Sequence, residues 1–232
     1  MKAAGAPALG IVVGLEAEAR LLRGRAAEAR WQVRCIGPAG PAEAASLELI
    51  RSGARALVSF GLAGGLDPFL SPGTVILGRS VIQPGGVEIA ADRAWSERLR
   101  RRLVPALEPV MGPVAGSDRV MASPLDKAAL HRSTGGLAVD METHGVARAA
   151  AAGGVPLLIL RAVADCADQA VPEAALVGVS AAGRVRPAAV VRALLERPRQ
   201  LGELVSVARQ ARAALDGLRR VVGLAGDDFA LL

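Results

Sequence analysis

Aromatic residues make up only 2% of this 232-residue chain, tyrosine is absent, and cysteine and histidine occur twice each. Cys35 and Cys166 stand alone with no CxxC spacing, which argues for a reducing compartment and against a thiolate metal site. With only His131 and His144 to join them, no histidine or cysteine cluster can hold zinc. No uninterrupted apolar run is long enough to span a bilayer. Lys2, an apolar run and Ala17-Glu18-Ala19 superficially mimic a secretory leader, but Glu16 and Glu18 fall where a cleavage region is uncharged. A cytoplasmic protein is expected.

Hydrophobic residues make up 52% of the chain, mainly Ala, Val and Leu, enough for one sizeable core. Residues 1–232 are therefore expected to form a single domain, with a basic helical C-terminal extension from about residue 184. The formal net charge is +6, and it is unevenly placed. Between Arg184 and Arg220 nine arginines face Glu196, Glu203 and Asp216, so this stretch carries the whole excess of six. It has no aromatic residue to stack on bases, which argues against a specific nucleic-acid partner. An anionic membrane surface and a solvated arginine face stay open.

Short apolar runs at residues 9–13, 31–36, 56–60 and 74–82 read as buried strands, and Pro84-Gly85-Gly86 as a hairpin turn. Helices are expected up to Leu22, over 41–52, over 95–103 with a basic face of Arg98, Arg100, Arg101 and Arg102, and from Ser123-Pro124 to Leu130. A long helix from Pro198 carries Leu201, Leu204, Val205, Ala208, Ala211, Leu215, Leu218 and Val222 at helical spacing. That stripe suits core or dimer packing, and its arginines keep a membrane surface open.

The densest chemistry lies in residues 138–168, AVDMETHGVARAAAAGGVPLLILRAVADCAD. Asp140 and Glu142 flank Met141, a helix over 142–152 stops at Gly153-Gly154, and Asp165 follows a hydrophobic strand. Strand, helix, strand delivers both acids to the carboxyl edge of a sheet, where open α/β folds place ligands. A carboxylate at the mouth of a buried strand is partly desolvated and holds a proton nearer neutral pH, which makes Asp165 the candidate acid. Glu142 opens a helix whose dipole favours its ionised form, which suits accepting hydrogen bonds from hydroxyls. The plain structural alternatives are a first-turn acid and a cap. The loop Gly61-Leu62-Ala63-Gly64-Gly65-Leu66 after a strand lets backbone N–H groups approach an anion or a sugar. His144, two positions past Glu142, points from another helix face.

VDME, followed about twenty residues later by R-A-hydrophobic-small-D, resembles the nucleoside phosphorylase and nucleosidase superfamily, and in particular its methylthioadenosine/S-adenosylhomocysteine nucleosidases. The resemblance implies a three-layer α/β/α sandwich with a central mixed sheet, a homo-oligomer, and cleavage of a purine N-ribosidic bond with no metal or organic cofactor. It makes Asp165 the general acid toward purine N7 and Glu142 the ligand of the ribose hydroxyls, with Met141 packed on the sugar. Glu18 becomes the acid that holds the attacking water, with Glu16 as its rival. Ala63, Gly64 and Gly65 line the sugar, and Val120 and Met121 belong to the base-pocket wall.

The ending ALVGVSAAGRVRPAAVVRALLERPRQL, together with SFGLAGGLDP and LRAVADCAD, is similar to the hopanoid-associated phosphorylase branch. That implies adenine release from adenosylhopane, a lipid-linked nucleoside, and contact with the inner membrane surface. Three positions depart from the pattern. Ala164 stands where the nucleosidases carry serine, and Ser59 and Leu62 stand where phosphate-using members carry arginine and serine. Glu18 would repel phosphate, so water is the favoured acceptor; phosphorolysis stays open through Arg20 or Arg23. The alternatives are an ordinary methylthioadenosine-type nucleosidase and, from another class, a non-catalytic nucleoside-binding or membrane-associated module.

Overall fold

The computed structural model describes residues 9–24, 31–38, 40–180, 182–184, 186, 192, 196 and 201–231. The expected strand runs form β1 (Leu9–Val13), β2 (Trp31–Cys35), β3 (Ala56–Gly65), β4 (Val75–Ile82), β5 (Glu88–Ala90), β6 (Val110–Gly116), β7 (Ala138–Asp140) and β8 (Leu157–Asp165). They make one mixed sheet in the order β2-β1-β3-β7-β6-β4-β5, and β8 pairs with both β3 and β4. That double pairing closes β3, β7, β6, β4 and β8 into a ring. β8 is therefore walled by strands on both edges, which explains its unbroken apolar segment Leu157–Leu160.

Helices α1 (Glu16–Arg23), α3 (Arg93–Leu103) and a long C-terminal helix, α7 (Leu201–Ala225), share one hydrophobic cluster with a face of the sheet. Helices α2 (Ala42–Arg51) and α5 (Thr143–Gly153) share a second cluster on the other face. The result is the expected three-layer α/β/α sandwich. Two further helices complete it, α4 (Pro124–Thr134) and the short α6 (Glu173–Val177).

Two expectations are corrected here. Residues 61–65 are not a loop after a strand: β3 runs on through Gly65, because β8 continues alongside it as far as Asp165 and β7 joins from the other edge at Gly64 and Gly65. The stripe of the last helix is also only partly core. Its second half is buried at Ala214, Gly217, Leu218, Val221, Val222 and Ala225, whereas Leu201 and Val205 are 55% and 48% exposed. The expected helix start at Pro198 lies outside the described residues.

The basic face of α3 does more than meet solvent. Arg98 donates from Nε to the Ala230 carbonyl (3.1 Å) and from Nη2 to that of Leu231 (2.7 Å), and Arg102 Nη1 donates to Ala225 (2.7 Å). Trp95 Nε1 donates to the Phe229 carbonyl at 2.8 Å. These bonds hold Phe229 and Ala230 in a left-handed conformation, φ 51° and 57°, that ordinary residues avoid. They also seat the fully buried Phe229 ring against Trp31 and Phe60, at centroid distances of 5.3 and 6.3 Å. Phe229→Ala is expected to cost about 3–5 kcal/mol in urea unfolding. A loss under 1 kcal/mol would show that the tail is not a core element.

Candidate active site

Glu18 reaches the site because α1 starts directly after β1. Its side chain folds back in the manner of a capping-box glutamate, and Oε2 accepts the Leu15 N–H at 2.8 Å. Oε1 accepts the Leu62 N–H of β3, also at 2.8 Å. Glu18 is thus buried between the end of β1 and the middle of β3. Burial pushes its carboxyl above the usual glutamate range, while the Leu62 amide, the Arg161 guanidinium and the Leu15 amide pull it back. Glu16 pairs instead with Arg23 and Arg20. Arg20 and Arg23 are themselves largely exposed and do not reach inward, contrary to the phosphate route left open above.

Asp140 ends β7 and organises the turn into α5. Its Oδ1 accepts the N–H groups of Glu142 (2.8 Å) and Thr143 (2.6 Å), satisfying donors that a helix start leaves unpaired. Its Oδ2 lies 3.0 Å from Nε of Arg161, and both side chains are almost wholly buried. Arg161 also donates to the hydroxyls of Ser59 and Thr143. A Cβ built on Gly61 would lie 2.6 Å from Arg161 Nη1 and 2.7 Å from Glu18 Oε1, so only glycine lets these two groups lie against β3 at that point. The guanidinium therefore links the acid that sets the α5 turn to the acid of α1.

Asp165 closes β8, paired with Gly64 of β3 across a register shift. Its Oδ2 accepts a hydrogen bond from Nζ of Lys127, a fully buried lysine in the first turns of α4. The same ammonium donates to the carbonyls of Cys166 (2.7 Å) and Gln169 (2.9 Å). Burial raises the Asp165 carboxyl above the usual aspartate range, and the Lys127 charge pulls the other way.

These elements enclose a cavity of about 240 Å³. Its lining includes Glu18, Leu62, Ala63, Gly64, Val120, Met121, Met141, Glu142, Ala164 and Asp165, so one hollow gathers the sequence-predicted residues with a single exception. Gly65 does not line it. A Cβ there would lie 2.7 Å from the Asp165 carbonyl oxygen, because at that point β3 has passed behind the end of β8. His144 is also turned away, with Nε2 3.2 Å from Asp118 beside a neighbouring hollow. His131 is half-buried, and its Nδ1 lies 2.8 Å from the Gly136 carbonyl oxygen. Ser59 is buried under the site and bonded to Arg161 and Thr143. Sequence reasoning assigned no role to Lys127, Arg161 or Asp140. A signal for the first was present, since only two of the 28 basic residues are lysines.

A three-layer sandwich that brings four carboxylates around a small hollow at the carboxyl edge of its sheet is the arrangement of the nucleoside phosphorylase-like class of α/β proteins. The phosphorylase superfamily model matches residues 16–196, and the chain belongs to that superfamily of enzymes. It is 28% identical over 183 residues to the 5′-methylthioadenosine/S-adenosylhomocysteine nucleosidases of Mycobacterium bovis and Mycobacterium tuberculosis, covering 61% of this chain and 72% of each relative. Its fold is similar to the crystal structure of the Neisseria meningitidis nucleosidase of the same name in complex with methylthio-immucillin-A. There the TM-score is 0.70 and the identity 19%, over 92% of this chain and 96% of that one. Futalosine hydrolase of Helicobacter pylori also shares the fold, with a TM-score of 0.61 and 17% identity over 68% of this chain and 87% of that one.

Proposed function

We propose that the protein is a nucleosidase that releases adenine from a 5′-substituted adenosine, with water as acceptor. The observation that carries this reading is the convergence of Glu18, Glu142 and Asp165 on one cavity. As the C1′–N9 bond lengthens, positive charge appears on the ribose and negative charge on the base. Asp165 gives its proton to N7, so the base leaves neutral and takes the bonding pair on N9. Glu142 accepts hydrogen bonds from the ribose hydroxyls, Met141 packs on the sugar, and the Ala63-Gly64 backbone closes the opposite side. Water held by Glu18 attacks C1′ and gives up its proton to that carboxylate.

Charge favours water over phosphate. Arg119 is the one cation on the cavity lining among the described residues, and it lies 3.5 Å from Asp126. Glu18, Asp140, Glu142 and Asp165 line the same space, with Arg161 and Lys127 already engaged by two of them. A dianion entering there meets a lining in which carboxylates outnumber cations four to one.

The curated relatives' names favour a methylthioadenosine/S-adenosylhomocysteine-type substrate. Adenosylhopane, as a step of hopanoid biosynthesis, is the second reading. It rests on the C-terminal resemblance, and much of residues 185–200 lies outside the described residues. Val120, on the cavity lining yet 42% exposed, favours an apolar 5′ group. A peripheral membrane contact belongs to that second reading, supported by exposed Leu201 and Val205 beside Arg209 and Arg212. Among the described residues no helix is long and apolar enough to cross a membrane. Assembly as a homo-oligomer is part of the same proposal, on exposed Phe69 and Leu125, and light scattering checks it.

The test is adenine release from methylthioadenosine and from adenosine bearing a bulky apolar 5′ group, with and without phosphate. Release without phosphate is expected, and obligatory phosphate would overturn the role of Glu18. The pH profile should be bell-shaped. Activity falls on the acid side as Glu18 takes up a proton, at a pH above the usual glutamate range, because burial raises that carboxyl. It falls on the alkaline side as Asp165 loses the proton it must donate.

A further inference from the structure

We propose that Lys127 is the positioning residue for Asp165, holding one carboxylate oxygen and stabilising the charge that appears on Asp165 when its proton leaves. This rests on the proposed nucleosidase reaction and deepens it.

Lys127 is costly where it stands. Its side chain is fully buried, and lysine is almost never buried without a partner. It also follows Pro124 by three residues at the start of α4, where the helix dipole disfavours a cation. The chain carries 26 arginines among its 28 basic residues, and its other lysine is Lys2. A compact ammonium with three protons matches this niche, where Asp165 Oδ2, Cys166 O and Gln169 O each take one. A planar guanidinium cannot present three such donors to converging oxygens from one point.

The pairing answers the question raised by Ala164. The serine expected next to the acid is missing, and a methyl group lines the cavity in its place. Lys127 reaches the acid from α4 and fixes Oδ2, which leaves Oδ1 to carry the proton. In the step itself the proton passes from Oδ1 to N7, the C1′–N9 pair leaves with the base, and Lys127 keeps its charge throughout. The ammonium thus faces a neutral acid before transfer and a carboxylate after it. Its attraction is greatest where it lowers the barrier.

The other ionisable groups near the pair are Glu18 from α1, Asp140 and Glu142 around the β7–α5 turn, Arg119 across the cavity, Asp126 beside Lys127, and Cys166 and Asp168 after β8. Among the described residues, Lys127 is the group that bonds the Asp165 carboxylate. A purely mechanical role is the competing account, since two of its three bonds staple the turn after β8.

Lys127→Gln separates the two accounts. The amide keeps N–H donors for the carbonyls but removes the charge, and Lys127→Met removes both. Two readouts are needed: carbon-13 NMR titration of the Asp165 carboxyl without substrate, and the pH profile of kcat for adenine release. In Lys127→Gln the carboxyl is expected to titrate about one to three pH units higher, as on loss of an adjacent opposite charge. The alkaline limb of kcat should move up with it, while kcat falls by about 10- to 100-fold. Lys127→Arg keeps the charge but not the three-donor geometry, so it should bring the limb only part of the way back to wild type. An unmoved titration, or a moved titration with kcat unchanged, overturns the proposal and leaves a staple. If Lys127→Met fails to fold, the Gln and Arg pair still decides. A wild type that cleaves no nucleoside overturns the proposed function and this role together, whereas an active wild type with an unmoved limb overturns this role alone.

Discussion

Asp165→Asn is expected to lower adenine release by about 10²- to 10⁴-fold with little change in ligand affinity. The substitution is nearly isosteric, and the remaining amide oxygen can still accept a hydrogen bond from Lys127, so the end of β8 should keep its place beside Gly64. What disappears is the proton. Without it the purine must leave as an anion from a cavity already lined by Glu18 and Glu142. The residual rate should also lose its alkaline limb, because no group is left whose deprotonation stops the reaction. Steady-state kinetics alongside equilibrium binding of a non-cleaved analogue checks both halves. A variant that binds and cleaves like wild type would remove Asp165 from the chemistry.

Arg161→Met should be among the most damaging substitutions for stability, costing about 3–5 kcal/mol. The guanidinium lies 3.0 Å from Asp140 with both side chains nearly free of solvent, and it also serves Ser59 and Thr143. Removing it leaves a buried carboxylate whose remaining partners are neutral donors. For a chain of this length that loss corresponds to a fall in Tm of roughly 6–20 °C. Function should suffer in the surviving fold as well. Arg161 is one of the influences that hold the Glu18 carboxyl down, so its loss moves the acid limb to higher pH. Urea and thermal unfolding measure the first effect, and a change below 1 kcal/mol would mean that Asp140 does not depend on this partner.

What could be read from the sequence follows a physical divide. Local signals sufficed where function and secondary structure coincide within a few residues. Glu142 is placed by the turn after β7 and Asp165 by the end of an apolar strand, whereas Glu18 was singled out by the family resemblance; all three line the cavity. The glycine segment was located correctly but read as a loop, because β8, which pairs with it strand to strand, lies about a hundred residues further on. Gly65 was misplaced for the same reason.

Lys127 and Arg161 escaped because their meaning lies in partners brought together by the fold. Lys127 meets Asp165 only when α4 crosses the end of β8, 38 positions away in sequence. Arg161 stood inside the quoted R-A-V-A-D string, yet nothing local distinguishes a buried arginine from one at a strand edge; the placement of β8 between β3 and β4 makes that difference. The arginines of α3 read only as a basic face, although Arg98 and Arg102 hold the C-terminal tail more than a hundred residues downstream.

The central claim is that Asp165 delivers a proton to N7 of a purine whose ribose is held by Glu142 in the same cavity. The most direct measurement replaces that nitrogen with carbon: a 7-deaza analogue of a nucleoside that the protein cleaves is offered as substrate and as competitor. The account predicts that the analogue competes for the site with similar affinity and releases no detectable base. Cleavage of the 7-deaza nucleoside at a rate comparable to its parent would contradict it.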